Sequence, residues 1–165
     1  MKIMKRHIKF ILACILLMGF QMGMAHTWTV CTTCENNSIK KTISQASDYD
    51  TIRIEKGTYK EFEILVDKPL VIKGIDYPIV DGEKKGEIFR VQSDDVTLDG
   101  LFIINVGVSY TKDNAAIRVV QSKNFLIQNM VLEQLFFGIY LEKSSHGKVY
   151  HNRIIGEAVD EYNSG

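Results

Sequence analysis

Cys31-Thr-Thr-Cys34 sets two thiols three residues apart, close enough to clasp a soft ion such as Cu(I), which favours sulfur ligands. The same pair can instead close as a disulfide or redox pair, because thiols in an oxidising compartment tend to join. His146 and His151 lie five residues apart. With a bend at Gly147 they could stand on adjacent walls of one coil and offer imidazoles to copper, with Met130 as a thioether neighbour. Exposed polar histidines and a core-filling methionine account for the same residues. Asp94, Asp95 and Asp99 form the one tight acidic group on a coil. Glycoside hydrolysis needs two carboxyl groups roughly 5 to 9.5 Å apart, one of them protonated. Both parts of this group adjoin bends, so they also fit as solvated turn residues, and no basic residue recurs over them as an elimination would require. No catalytic or cofactor-binding residue is assigned on these grounds.

The elements that must position these residues announce themselves as a repeat. Phe89-Arg-Val91 with Val96-Thr-Leu98, Ile117-Arg-Val119 with Phe125-Leu-Ile127, and Ile139-Tyr-Leu141 with Val149 recur in one order. Ile117 to Ile139, Val119 to Leu141, Ser122 to Ser144, Ile127 to Val149 and Leu132 to Ile154 are each separated by 22 residues. Each unit holds short alternating apolar runs and cannot bury its apolar face until a neighbour lies on it. A right-handed parallel β-helix with one coil per repeat satisfies that requirement; an antiparallel sandwich has no reason to hold a 22-residue phase. Bends are expected at Gly57, Gly74, Asp81-Gly82, Asp99-Gly100, Gly138 and Gly156, where left-handed backbone is tolerated. The Phe89 and Ile117 units are 28 to 29 residues apart, which predicts a loop thrown out around Ser109 to Asn114. Ile39, Ile43 and Ala46 predict a short helix over Ser38 to Ser47, started by Asn37 or Ser38 and covering the N-terminal end of the coil.

Residues 1–25 read as an export signal. Lys2, Lys5, Arg6 and Lys9 precede an apolar stretch from Phe10 to Phe20, and Gly23 and Ala25 suit a cut before His26. The stretch falls short of the roughly 20 apolar residues that span a bilayer, so the cleaved chain is expected to be periplasmic and not membrane-spanning. Cleavage would leave His26 with an amine and an imidazole able to chelate Cu(II). The whole chain carries 20 basic and 20 acidic residues; losing four basic ones leaves 16 against 20, a net charge of −4 over residues 26–165. Nucleic acid is therefore an unsuitable partner. Residues 26–165 suffice for one domain with a core. Glu157, Asp160 and Glu161 form an acidic tail.

Asp50-Thr-Ile-Arg-Ile54 with Gly57-Thr-Tyr59, Lys68-Pro-Leu-Val-Ile72 with Gly74, and Ile79-Val-Asp-Gly82 resemble the opening of right-handed β-helix proteins of the carbohydrate-binding and sugar-hydrolase repeat type. Ala115-Ala-Ile-Arg-Val119, Phe137-Gly-Ile-Tyr-Leu141, Asn152-Arg-Ile-Ile-Gly156 and the closing Asn163-Ser-Gly165 resemble the NosD family. The likeness extends from about Trp28 to Gly165 and matches the N-terminal portion of that family, whose Ser-Gly phrase runs on into further coils. The resemblance implies a periplasmic accessory scaffold for the copper centre of nitrous oxide reductase. It further implies ABC-type transporter subunits and reductase maturation proteins as partners, with copper as a possible ligand. A carbohydrate-binding or polysaccharide-degrading β-helix is the alternative, in which Phe136, Phe137 and Tyr140 could stack on sugars.

Overall fold

A phrase such as Thr97-Leu98-Asp99 has one apolar side chain between two polar ones, so a strand of that length can bury only its middle residue. Leu98 is fully buried while Thr97 and Asp99 are partly exposed. Stacking many such strands is what builds a core. The computed structural model describes residues 24–109 and 111–156, and in it the chain forms a right-handed parallel β-helix of about six turns with one short helix. The export segment up to residue 23, the acidic tail and the Asn163-Ser-Gly165 phrase lie outside the described residues. No helix among the described residues is long and apolar enough to cross a membrane.

The first wall, sheet A, stacks β1 (Thr27–Val30), β2 (Thr51–Ile54), β5 (Val71–Gly74), β8 (Thr97–Asp99), β11 (Leu126–Gln128) and β14 (Lys148–Tyr150). Sheet B stacks β3 (Thr58–Lys60), β6 (Ile79–Asp81), β9 (Phe102–Ile104), β12 (Val131–Leu135) and β15 (Arg153–Gly156). Sheet C stacks β4 (Ile64–Val66), β7 (Phe89–Val91), β10 (Ala115–Val120) and β13 (Phe137–Glu142). Every strand pair is parallel, and the register is continuous except for a shift between Glu133 and Leu135 where β12 meets β15. Ile117 pairs with Ile139 and Val119 with Leu141, Ile127 pairs with Val149, and Leu132 pairs with Ile154. Ser122 is bonded to its own repeat partner, its N–H donating to Ser144 Oγ at 3.2 Å. All five 22-residue pairs read from the sequence are thus stacked neighbours.

The corners explain where the phase slips. The bends between sheets A and B after β8, β11 and β14 are two residues long, and Gly100 in the first of them lies so close to Gly74 at the end of β5 that a Cβ on Gly74 would overlap the Gly100 carbonyl. Gly100 also holds φ at +73°, which favours glycine. The corner between sheets B and C is the variable one: its successive connections are residues 61–63, 82–88, 105–114 and 136 alone. The expected loop is therefore real but begins earlier, at Asn105, and the coil beneath it also throws out a loop. The two loops touch, Gly107 N–H donating to Gly86 O at 2.9 Å.

The N-terminal end is closed by α1 (Ile39–Gln45), which buries Ile39, Thr42 and Ile43 against the first coil. Ser38 is its N-cap, and the Glu61 carboxylate accepts from the N–H groups of Ile39 and Lys40, both at 2.8 Å. At the other end Lys68 Nζ donates to the carbonyls of Ile43, Ser44 and Ala46 at 3.1, 3.1 and 2.7 Å. Both orphan ends of a helix too short to be stable alone are therefore tied to residues of the coil.

At the opposite end the last described coil is exposed on its outer side. Val119, Ile127 and Leu132 are at most 1% exposed, whereas their stacked partners Leu141, Val149 and Ile154 are 50%, 43% and 49% exposed. Among the described residues the last coil continues the inward columns with no further strand stacked on it. Leu132→Ala should therefore cost about 2–5 kcal/mol, and Leu141→Ala less than about 1 kcal/mol, measured by urea denaturation. Equal costs would mean that the last coil is covered.

Candidate functional site

Cys31 and Cys34 sit in the loop after β1, where Cys34 N–H donates to Cys31 O at 3.2 Å and closes a tight turn. That turn brings the two Cα atoms to 5.2 Å, and the sulfurs are joined as a disulfide. In this form neither sulfur is a thiolate, so copper ligation by the pair would require prior reduction. An open groove beside the loop is lined by Thr32, Asn37, Ser38, Thr58, Tyr59, Lys60 and Glu61. Burial, helped by the carboxylates of Glu55 and Glu61, pushes the Tyr59 phenol pKa up. Its hydroxyl donates to Glu55 O at 2.9 Å.

His146 and His151 flank β14, one at each edge of the last strand of sheet A. The cysteines adjoin β1, the first strand of that sheet, so the sulfur and imidazole candidates lie at opposite ends of the solenoid. The histidines' spacing has a structural origin. Asp95, Asn124 and His146 occupy one stacked bend with φ of 58°, 56° and 57°. Gly100, Asn129 and His151 occupy another with φ of 73°, 53° and 54°. Five residues is the distance between the two left-handed corners of each of these three coils, and His is among the residues that tolerate that region. His146 Nδ1 lies 3.0 Å from Ser145 Oγ, and the His151 ring lies edge-on to Tyr150 at 5.0 Å. Met130 is buried core, its N–H held by Asn152 Oδ1 at 2.9 Å.

The acidic group is engaged in the same ladders. Asp94 Oδ1 accepts from Lys123 N–H at 2.7 Å, Asp95 Oδ1 from Asn124 Nδ2 at 3.2 Å and Asp99 Oδ1 from Asn129 Nδ2 at 2.8 Å. Each carboxylate ties its bend to the next coil. Among the described residues no group of three or more His, Cys, Asp or Glu is arranged to hold a metal ion.

The most concentrated polar chemistry is on the outer face of sheet C. Leu65, Arg90, Arg118 and Tyr140 form one vertical column in register across β4, β7, β10 and β13. Stacked guanidiniums repel, and the carboxylate that reconciles them is Glu87, from the 82–88 loop. Glu87 is 6% exposed; its Oε1 pairs with Arg90 Nε and its Oε2 accepts from Arg118 Nε at 3.0 Å. Arg118 also donates to the Asp113 carbonyl of the upper loop, lies 3.5 Å from Glu142, and stacks over the Tyr140 ring at 4.4 Å. Tyr140 in turn meets Phe137 edge-on at 6.2 Å, and Phe137 meets Phe136 at 4.6 Å. Beside Arg90 is a shallow cavity of about 270 Å³ lined by Glu63, Leu65, Glu87, Arg90 and Gln92. Breaking a buried pair by removing one partner strands the other charge, so Glu87 orders both loops and both strands at once.

This hub was missed by sequence reasoning because Glu87 is in a loop outside the repeat. Its signal was the recurrence of Arg90 and Arg118 at the same outward position of stacked units, which demands an intervening anion. A lesser pairing bridges coils nearby: hydrogen bonds from Lys85 and from Lys60 hold the Glu83 pKa below the usual carboxylate range. Comparison with protein-family models, curated proteins and solved structures returned no match.

The left-handed corners make a direct prediction. The double variant His146→Asn with His151→Asn should change stability by less than about 0.5 kcal/mol, since the coil beneath has Asn at both places. Replacing the same histidines by Val should cost about 1–3 kcal/mol each, because β-branched residues are strained at positive φ. Thermal melts of the two double variants check this. Val tolerated as well as Asn would remove the structural account of the spacing.

Proposed function

We propose that this chain is an exported accessory scaffold that takes part in maturing the copper centre of nitrous oxide reductase beside an ABC-type transporter. The observation that carries this reading is the position of the two phrases that resemble the NosD family. Ala115–Val119 and Phe137–Leu141 are stacked in adjacent strands of sheet C, and their outward residues Arg118 and Tyr140 meet at 4.4 Å. The resembling residues thus build the ion-paired outer face as well as the core. A rigid wall with an exposed Leu65 and a half-exposed Arg90 suits docking to a protein partner, where Arg and aromatic anchors dominate binding energy. Loops of unequal length gathered at one corner of a regular scaffold are a common way to carry recognition. The disulfide between Cys31 and Cys34 favours docking over direct copper transfer as the working mode of the isolated chain.

A carbohydrate-binding module is the second reading, favoured by the half-buried Phe136, Phe137 and Tyr140 on one wall. A polysaccharide-cleaving role draws less support, since Asp94, Asp95 and Asp99 serve as acceptors between bends.

Deleting the coding sequence should lower the copper content of nitrous oxide reductase purified from the same cells while its polypeptide level stays constant. Restoring the chain should recover copper loading, and restoring Arg90→Ala with Leu65→Ser should recover less of it. Unchanged copper in the deletion strain would remove the maturation reading. Retention of the mature chain on an immobilised glycan, lost in Tyr140→Ala, would install the carbohydrate reading in its place.

A further inference from the structure

The backbone ladder begins at one residue. His26 O accepts from Thr51 N–H at 2.8 Å, the first bond that ties the chain to the coil. Ahead of it Met24 is 92% exposed and Ala25 is exposed. Removing everything before His26 would therefore take away no packing that the described residues make. The His26 nitrogen is different. It donates to Asp50 Oδ1 at 2.7 Å, and Asp50 is only 3% exposed. The other carboxylate oxygen accepts from Trp28 Nε1 and from Ser47 N–H, both at 2.9 Å.

The three hydrogen-bond donors to this buried carboxylate are neutral groups, and the only charge interaction that lowers its pKa comes from the His26 side chain. Burial pushes the Asp50 pKa up, and the bonds from His26, Trp28 and Ser47 more than offset that, so the carboxyl is held below its usual range and stays ionised. None of the groups that donate a hydrogen bond to it is itself a cation. The nitrogen of His26 is the one donor that export processing could convert into one.

We infer that Asp50 is a preformed seat for the α-ammonium of a chain cut between Ala25 and His26. This inference goes beyond the scaffold reading and rests on the export segment. Hydrolysis by an export signal peptidase adds water across the Ala25–His26 amide. Ala25 leaves with a carboxylate, and the His26 nitrogen keeps its bonding position and becomes –NH3+ at neutral pH. The neutral amide bond to Asp50 then becomes a charge-assisted ion pair in the partly buried cap, stronger than the bond it replaces. The cap is thereby locked after processing. Chelation of Cu(II) by the His26 amine and imidazole would have to strip that nitrogen from Asp50, so the pair opposes copper capture at the new N-terminus.

The sign of the pH dependence follows from the amine. A free α-amino group has a pKa of about 8, and gaining the Asp50 partner raises it. The added stability is fully present below that ordinary value and is lost as pH rises through the raised one. The other titratable groups around the seat are the His26 imidazole, edge-on to Trp28, Asp48 and Tyr49 in the adjoining turn, and Lys68, whose Nζ holds Ala46 O. All of them are common to the two chains compared below.

The test exports the full chain, purifies it from the periplasm and measures its intact mass, then compares its melting temperature with that of the same chain prepared with Ala25 retained. The exported chain should begin at His26 and melt roughly 3–8 °C higher than the extended one at pH 6.5, with the difference vanishing near pH 10.5. A mature N-terminus elsewhere overturns the inference and leaves the scaffold reading standing. Correct cleavage with equal melting at pH 6.5, or a difference that persists unchanged at pH 10.5, overturns the ion pair itself.

Discussion

The parallel backbone ladder between coils is the constraint on which everything else depends. Each strand of three to six residues is too short to hold itself, and its N–H and C=O groups are satisfied only by the coils above and below. That requirement propagates one coil at a time and has to be resolved at both ends. At the N-terminal end α1 lies over the opening, and Glu61 and Lys68 bind its two termini to the first coil. At the other end β13, β14 and β15 present a last row of inward residues on which no described strand is stacked. Two ends of one solenoid thus differ sharply in how far their backbone and apolar groups are covered.

The same ladder decides where chemistry can be placed. Corners that stack repeat their backbone conformation, so left-handed φ recurs at Asp95, Asn124 and His146, at Gly100, Asn129 and His151, and at Gln121 and Lys143. Outward columns on the walls are free to vary, yet they place like residues directly above one another at strand-ladder spacing. On sheet C this forces Arg90 beneath Arg118, and the loop carboxylate of Glu87 is what makes that column tolerable. The face that results is rigid and charged at its centre, with aromatic rings at its upper margin. Its rigidity comes from the wall and its individuality from the 82–88 and 105–114 loops.

Much of this was legible in the residues. The 22-residue offset became strand register pair by pair, from Ile117 with Ile139 to Leu132 with Ile154, because in a solenoid the sequence period and the contact period are the same quantity. The helix cap was readable from Ile39 and Ile43, though it ends at Gln45, where Lys68 collects the last carbonyls. Chemistry was less legible. The five-residue spacing of His146 and His151 coincides with two left-handed corners that Asn124 and Asn129 occupy in the coil beneath, a backbone regularity that only the structure displays. Glu87 and Asp50, the two buried carboxylates among the described residues, each join a neighbour three residues away to a partner 31 or 24 residues away, and no local pattern marks those longer distances. For the cysteines the sequence left copper and disulfide open, and the turn at Cys31–Cys34 closes them as a disulfide.

Residue-resolved amide hydrogen exchange on the native chain tests the central claim most directly, since it reads the ladder bond by bond. Amides of β7 to β12, held between two neighbouring coils, should exchange most slowly, and protection should fall through β13, β14 and β15. Protection in β13 to β15 equal to that in β10 to β12, or rapid exchange at Val119, Ile127 and Leu132, would contradict a stack of mutually dependent coils that is open at one end.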